Sequence, residues 1–258
     1  MTIDDIQARK KRGEKISMLT CYDYAMAKIL SRAGVDMLLV GDSLGMVVLG
    51  YPSTREVTME DMLRHTGAVA RGAAGTFVVA DLPHGSYDSP GPAVANARRL
   101  IQSGAQMVKV ERGREIRDVV LALVQAGIPL MGHLGLTPQT AGTFRVQGRE
   151  PEVAAAIRED ALLLQNLGVQ SIVLESMPRS LAAEITSSLR IPTIGIGAGP
   201  DTDGQVLVLY DMLGLFDDFR PKFVKPFANL SSGIETAARQ YRKEVVAGVF
   251  PDDQHSFN

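Results

Sequence analysis

The stretch from Thr76 to His133 carries TFVVAD (76–81), MVKVE (107–111) and PLMGH (129–133), three short runs that each end on an ionisable residue. They are too short for helices, and the first two are rich in β-branched residues, so Thr76–Ala80, Met107–Val110 and Pro129–His133 read as strands. The pattern continues outward to Ile16–Thr20 and Met37–Gly41 upstream, and to Ser171–Leu174 and Pro192–Ile196 downstream, with a weaker eighth run at Lys222–Lys225. Successive starts lie 21, 39, 31, 22, 42, 21 and 30 residues apart, a mean of about 29, which suits parallel strands joined by crossover helices.

The intervening segments are helical. Ala25, Ile29, Leu30 and Ala33 recur at helical spacing before Gly34, and Thr58 with Asp61 forms a capping signal ahead of Met62, Val69 and Ala70. Glu152–Leu167 predicts a helix stopped by Gly168. Glu235–Val246 predicts a closing helix, and Asp252–Asn258 a loose tail. The expectation is α/β: a single (β/α)8 TIM barrel over residues 1–258, with a short N-terminal helix and the C-terminal closing helix. A doubly wound open sheet is the alternative, because strand count is readable from a sequence and strand order is not.

Composition narrows the function. Apolar residues make up 45% and charged residues 22%, as in ordinary globular domains. Twenty-seven Lys and Arg against 29 Asp and Glu leave a net charge of −2, without the basic footprint of a nucleic-acid or anionic-membrane binder. One cysteine, Cys21, excludes an internal disulfide and a thiolate zinc cage, and reads as a buried, inert thiol. No apolar run is long enough to cross a bilayer, and the opening MTIDDIQARKKRGE lacks a signal-peptide core, so a cytoplasmic protein is expected.

In a barrel, chemistry sits at the C-terminal ends of the strands. Here those ends deliver Asp42, Asp81, Glu111, His133 and Glu175, with Lys109 two residues before Glu111 and so on the same face of its strand. Each has a plain reading: Asp42 or Asp81 as a helix cap, His133 as a core histidine, Lys109 and Glu111 as a paired couple. Together, four carboxylates at one rim repel unless a cation neutralises them. An oxygen-rich, thiolate-free set favours magnesium over zinc, with Glu175 left as a general base. GIGAGPDTDG (195–204) suits a phosphate cradle or a tight glycine turn equally well. The eleven methionines read as core filler, and His65 and His255 as structural or solvated.

Several motifs carry a resemblance. TCYDYAMAKI, VGDSLGM (40–46), ADLP (80–83), MVKVE (107–111), GHLGLTPQ (132–139), IGIGAG (194–199) and GVFPDDQHSF occur in one collinear order over nearly the whole chain. They resemble the 3-methyl-2-oxobutanoate hydroxymethyltransferase family, also called ketopantoate hydroxymethyltransferase. The resemblance implies a barrel of the phosphoenolpyruvate/pyruvate superfamily, often a homodecamer, that moves a hydroxymethyl group from 5,10-methylenetetrahydrofolate to a 2-oxo acid in pantothenate synthesis. Carried over by motif, Asp42, Asp81 and Glu111 are expected as magnesium ligands, Glu111 through water. Asp42, Ser43, Asp81 and Lys109 are expected to contact the keto acid, Glu175 to accept the proton, and His133 to orient a ligand or substrate oxygen. Two departures stand out: Arg112 follows Glu111 where the family commonly has glycine, and Thr140–Gly148 is shorter than the usual loop on the folate side. Competing readings are another magnesium-dependent 2-oxo-acid lyase or mutase on the same barrel, a phosphosugar-binding barrel, and a non-catalytic assembly subunit.

Overall fold

The apolar runs become strands β1 (Ile16–Thr20), β2 (Met37–Val40), β3 (Phe77–Asp81), β4 (Met107–Glu111), β5 (Leu130–Gly135), β6 (Ser171–Glu175), β7 (Thr193–Ile196) and β8 (Gly204–Leu207). The computed structural model describes residues 1–140, 145–216 and 221–257. Every strand pairs in parallel with its sequence neighbours, and β8 pairs with β1, so the sheet closes into an eight-stranded barrel. The open-sheet alternative is therefore excluded. Helices α1 (Ile3–Arg12), α2 (Tyr24–Arg32), α3 (Leu44–Val47), α4 (Met59–Gly72), α5 (Pro90–Gln102), α6 (Arg117–Gln125), α7 (Pro151–Leu167) and α8 (Arg179–Ser188) alternate with the strands. Strands β2 to β4 and β7 are buried at every position, which explains why they are mostly apolar apart from the ionisable residues at or near the ends of β3 and β4.

Local signals in the sequence do what the physics asks of them. Thr58 caps α4 by accepting from the Asp61 N–H, and the Asp61 carboxylate returns a bond to the Thr58 N–H. Gly168 ends α7 in the left-handed region at φ 104°. Met18, Met37, Met62, Met107, Met131 and Met177 are buried, as core filler should be. His65 is structural, its Nδ1 donating to the Tyr22 carbonyl at 2.6 Å. Burial pushes the Cys21 thiol up to about 12, so it stays protonated and unreactive.

The eighth strand corrects the sequence reading. Lys222–Lys225 is a turn, and β8 instead comes only eight residues after the end of β7, with no helix between them. The strand was hidden because its sequence, GQVL, is short, with one polar residue and one glycine. The segment Gly195–Gly204 is thus the end of β7, the return and the first residue of β8. It leads into no helix N-terminus, and a Cβ at Gly199 or Gly204 would clash with its neighbours, which favours the tight-turn reading. Gly204 is required by contact: a Cβ there would lie 2.6 Å from the Ile16 carbonyl oxygen and 2.6 Å from Ile194 Cδ1.

The chain divides into two compact units, Met1–Val208 and Leu209–Asn258. The second holds α9 (Leu209–Leu213) and α10 (Leu230–Val246), which begins five residues before the expected Glu235. Near its end, Asp252 accepts from the Gln254 and His255 N–H groups, and Phe250 has ring contacts with Tyr241 and His255 at centroid distances of 5.7 and 5.6 Å. Among the described residues, no helix is long and apolar enough to cross a membrane.

Because Gly204 packs backbone against backbone where the ring closes, Gly204→Ala is expected to destabilise the barrel by about 1–3 kcal/mol. A lower urea midpoint with an unchanged m-value would show it, and an unchanged midpoint would refute the close-packing account.

Candidate active site

The strand ends form one rim because parallel register aligns them. Asp81 lies beside Lys109, Glu111 beside His133, and Gly135 beside Glu175. Lys109 and Glu111 both face inward, since Lys109 Nζ stands 2.9 Å from Asp81 Oδ1 and Glu111 Oε1 stands 3.3 Å from His133 Nδ1. His133 pairs across β6 with Val173, two residues before Glu175 and on the same face. Its Nε2 accordingly lies 3.1 Å from Glu175 Oε2. Gly135 (φ 97°) allows this corner, because a Cβ there would fall 2.2 Å from the Glu175 carbonyl oxygen.

Asp42 sits in the turn after β2. Its N–H donates to Asp81 Oδ2 at 3.1 Å, and its own Oδ2 accepts from Gln139 Nε2 at 2.7 Å. Neither aspartate caps a helix: Ser43 stands at the N-cap of α3, without any side-chain cap bond. Ser43 Oγ is instead 2.8 Å from the Tyr22 hydroxyl. All the residues singled out in the sequence therefore meet at one mouth, with Asp42, Asp81, Lys109, Glu111 and His133 buried and Ser43 and Glu175 part-exposed.

Sequence reasoning missed two members, Gln139 and Tyr87. Gln139, fully buried, donates its N–H to Glu111 Oε2 at 3.0 Å and its side-chain amide to Asp42 and to the Leu82 carbonyl at 2.9 Å. Its amide oxygen accepts from the Tyr87 hydroxyl, which also receives the Glu111 N–H at 3.3 Å. Gln139 was legible only as the last letter of GHLGLTPQ, and Tyr87 carried no signal at all. Of the shortened loop 140–148, residues 141–144 lie outside the described residues. Its end, Arg145 to Gln147, with Arg149, Glu150 and Val153, lines a cavity of about 480 Å³.

The electrostatics follow from crowding. Burial, then the neighbouring Asp81 and Glu111, push the Asp42 carboxyl well above the usual carboxylate range. Burial opposes ionisation of Glu111 too, but His133, Lys109 and the Gln139 N–H hold it below its ordinary value. Burial and Lys109 work against a charged His133, yet its two carboxylate neighbours raise it to about 9. Lys109 is likewise held charged against burial by Asp81, Glu111 and Asp42. An oxygen-only set with surplus negative charge suits a hard divalent cation. Among the described residues, no three His, Cys, Asp or Glu side chains converge to cage a metal unaided. Magnesium, in general, binds through one or two carboxylates and leaves its other positions to water and substrate oxygens.

A closed parallel barrel whose mouth gathers carboxylates, a lysine and a histidine has the architecture of a barrel enzyme. Residues 1–253 match the family model described as ketopantoate hydroxymethyltransferase, and the chain belongs to that family. A relative from Moorella thermoacetica, named 3-methyl-2-oxobutanoate hydroxymethyltransferase, is 56% identical over 262 residues, covering 100% of this chain and 97% of that protein. Among solved structures, 2,3-dimethylmalate lyase, a member of the PEP mutase/isocitrate lyase superfamily, aligns with a TM-score of 0.62 at 17% identity, over 99% of this chain and 91% of that one. Phosphonopyruvate hydrolase in complex with oxalate and Mg aligns at 0.66 and 12%, over 100% and 92%. These last two report the fold alone.

Two outcomes test the site's wiring. Gln139→Leu keeps the volume but strands buried partners, costing about 1–3 kcal/mol for each group left unsatisfied, read by urea unfolding. A carboxyl whose folded pKa is raised stabilises the fold below its unfolded pKa and loses that contribution as pH rises. The metal-free protein should therefore lose stability relative to Asp42→Asn as pH rises above the ordinary carboxylate range; parallel curves would refute the charge-crowding account.

Proposed function

We propose that this enzyme transfers a hydroxymethyl group from 5,10-methylenetetrahydrofolate to 3-methyl-2-oxobutanoate, giving 2-dehydropantoate and tetrahydrofolate in pantothenate synthesis. The observation that carries the reading is the row Glu111–His133–Glu175 running into the Asp42, Asp81 and Lys109 cluster. It sets the part-exposed Glu175 carboxylate in line with that buried cluster. Family membership supports it, and with it a cytoplasmic homo-oligomer.

In this reading Asp42 and Asp81 hold magnesium, with Glu111 acting through water. The ion, when bound, supplies Lewis acidity that makes the carbon beside a keto group easier to deprotonate. Asp42, Ser43, Asp81 and Lys109 bind and orient the keto acid. The Lys109 ammonium, kept charged by its carboxylate neighbours, sets positive charge where negative charge develops. Glu175 takes the C3 proton, a role worth about 10²- to 10⁴-fold. His133 fixes the Glu175 carboxylate against Glu111. The C3 enolate forms a bond to the methylene carbon as the first of its two carbon–nitrogen bonds to the carrier breaks, and the proton held by Glu175 passes on to the nitrogen released. Water then supplies the hydroxyl as the second carbon–nitrogen bond breaks, its other proton goes to that nitrogen, and tetrahydrofolate leaves.

Proton NMR of 3-methyl-2-oxobutanoate in D2O isolates the first step, since loss of the C3 proton signal needs no donor. Exchange should require magnesium. Glu175→Gln should abolish it while sparing magnesium-dependent keto-acid binding, and Asp81→Ala should lose both. Undiminished exchange in Glu175→Gln would remove Glu175 as the base. No exchange in the parent enzyme would favour a different 2-oxo acid.

A further inference from the structure

Arg112 carries two unfavourable features at once. Its backbone is left-handed, φ 82°, a conformation that suits glycine and is uncommon for a long side chain. Its Nε is sealed from solvent and has no hydrogen-bond partner among the described residues. Buried donors in folded proteins are nearly always satisfied, so one left open calls for a reason. The position supplies it. Arg112 follows Glu111 directly, its N–H donates to the His133 carbonyl at 3.1 Å, and its guanidinium lies 5.6 Å above the Tyr87 ring, part of the Gln139 network. The residue is thus fixed at the mouth, with an open donor edge.

We propose that Arg112, whose side chain is part-exposed, binds a carboxylate of the second substrate, the anionic tail of the one-carbon carrier, through its guanidinium. This rests on the function proposed above. A guanidinium presents a planar fork matched to a carboxylate, and stacking on Tyr87 holds the fork in place. The keto acid's own carboxylate is provided for elsewhere. Lys109 lies three residues deeper along β4, roughly 10 Å at the rise of a strand, so a small keto acid held there and a group held by Arg112 belong to different molecules. Tetrahydrofolate ends in a glutamyl group with two carboxylates, which meets the requirement.

Steady-state kinetics with two donors tests it: 5,10-methylenetetrahydrofolate and its tetrahydropteroate counterpart, which lacks the glutamyl tail. Arg112→Gly, whose glycine suits the backbone, should fold with an unchanged or higher melting temperature. It should raise KM for the tailed donor about ten- to a hundredfold, leaving kcat and the keto-acid KM within about twofold. Arg112→Lys should recover part of the loss. With the tail-less donor, parent and variant should agree. The proposal is overturned if the tailed donor's KM does not move, if the keto-acid KM rises instead, or if Arg145→Ala, in the cavity lined by Arg145 to Val153, carries the effect. A parent enzyme with neither C3 exchange nor turnover would refute the functional reading, and this proposal with it. Normal parent turnover with an unmoved donor KM refutes Arg112 alone.

Discussion

Three buried carboxylates share the mouth of this barrel with a single buried ammonium, and much of the surrounding structure answers that imbalance. Asp42, Asp81 and Glu111 would repel one another strongly if left unpartnered in a low-dielectric setting. The backbone N–H groups of Asp42 and Gln139 point at two of them, and the Gln139 amide at the third. Lys109 neutralises part of the charge and His133 bridges to Glu175. The remaining excess is chemically useful, since it makes the site receptive to a hard cation and to a substrate that brings oxygens.

The scaffold makes this arrangement rigid. Each acid stands at or just after a strand whose body is buried on both sides, so its position is set by the ladder rather than by a mobile loop. Closure at β7 and β8 is managed without a helix, by glycines that let backbones touch. That economy leaves Ser17 and Gln205 exposed on adjacent strands β1 and β8, whose burial alternates where β2 to β4 are covered throughout. The sheet is therefore two-sided along most of the ring and one-sided at the seam.

Much of this was legible in advance. Seven strands, the helix between Glu152 and Leu167 and the Thr58 cap follow from local periodicity and capping chemistry, which depend on neighbours within a turn or two. The acids at the strand ends were visible because strand and loop are distinguishable by composition. The eighth strand was invisible: four residues, one of them polar and one a glycine, form a strand only because β1 and β7 are already there to pair with.

The amino-acid sequence by itself determined the alternation of strand and helix, the placing of Asp42, Asp81, Glu111, His133 and Glu175 at strand ends, and through its motifs the family. Tertiary structure alone decided the register that sets Asp81 against Lys109 and Glu111 against His133. It also decided that Gln139 reaches Asp42 across 97 residues of chain, and that Arg112 turns left-handed with an open donor. The physical reason is range. Propensity and periodicity act between residues close in the chain, whereas register and the partners of buried polar groups are settled only when the ring closes and each donor must find an acceptor.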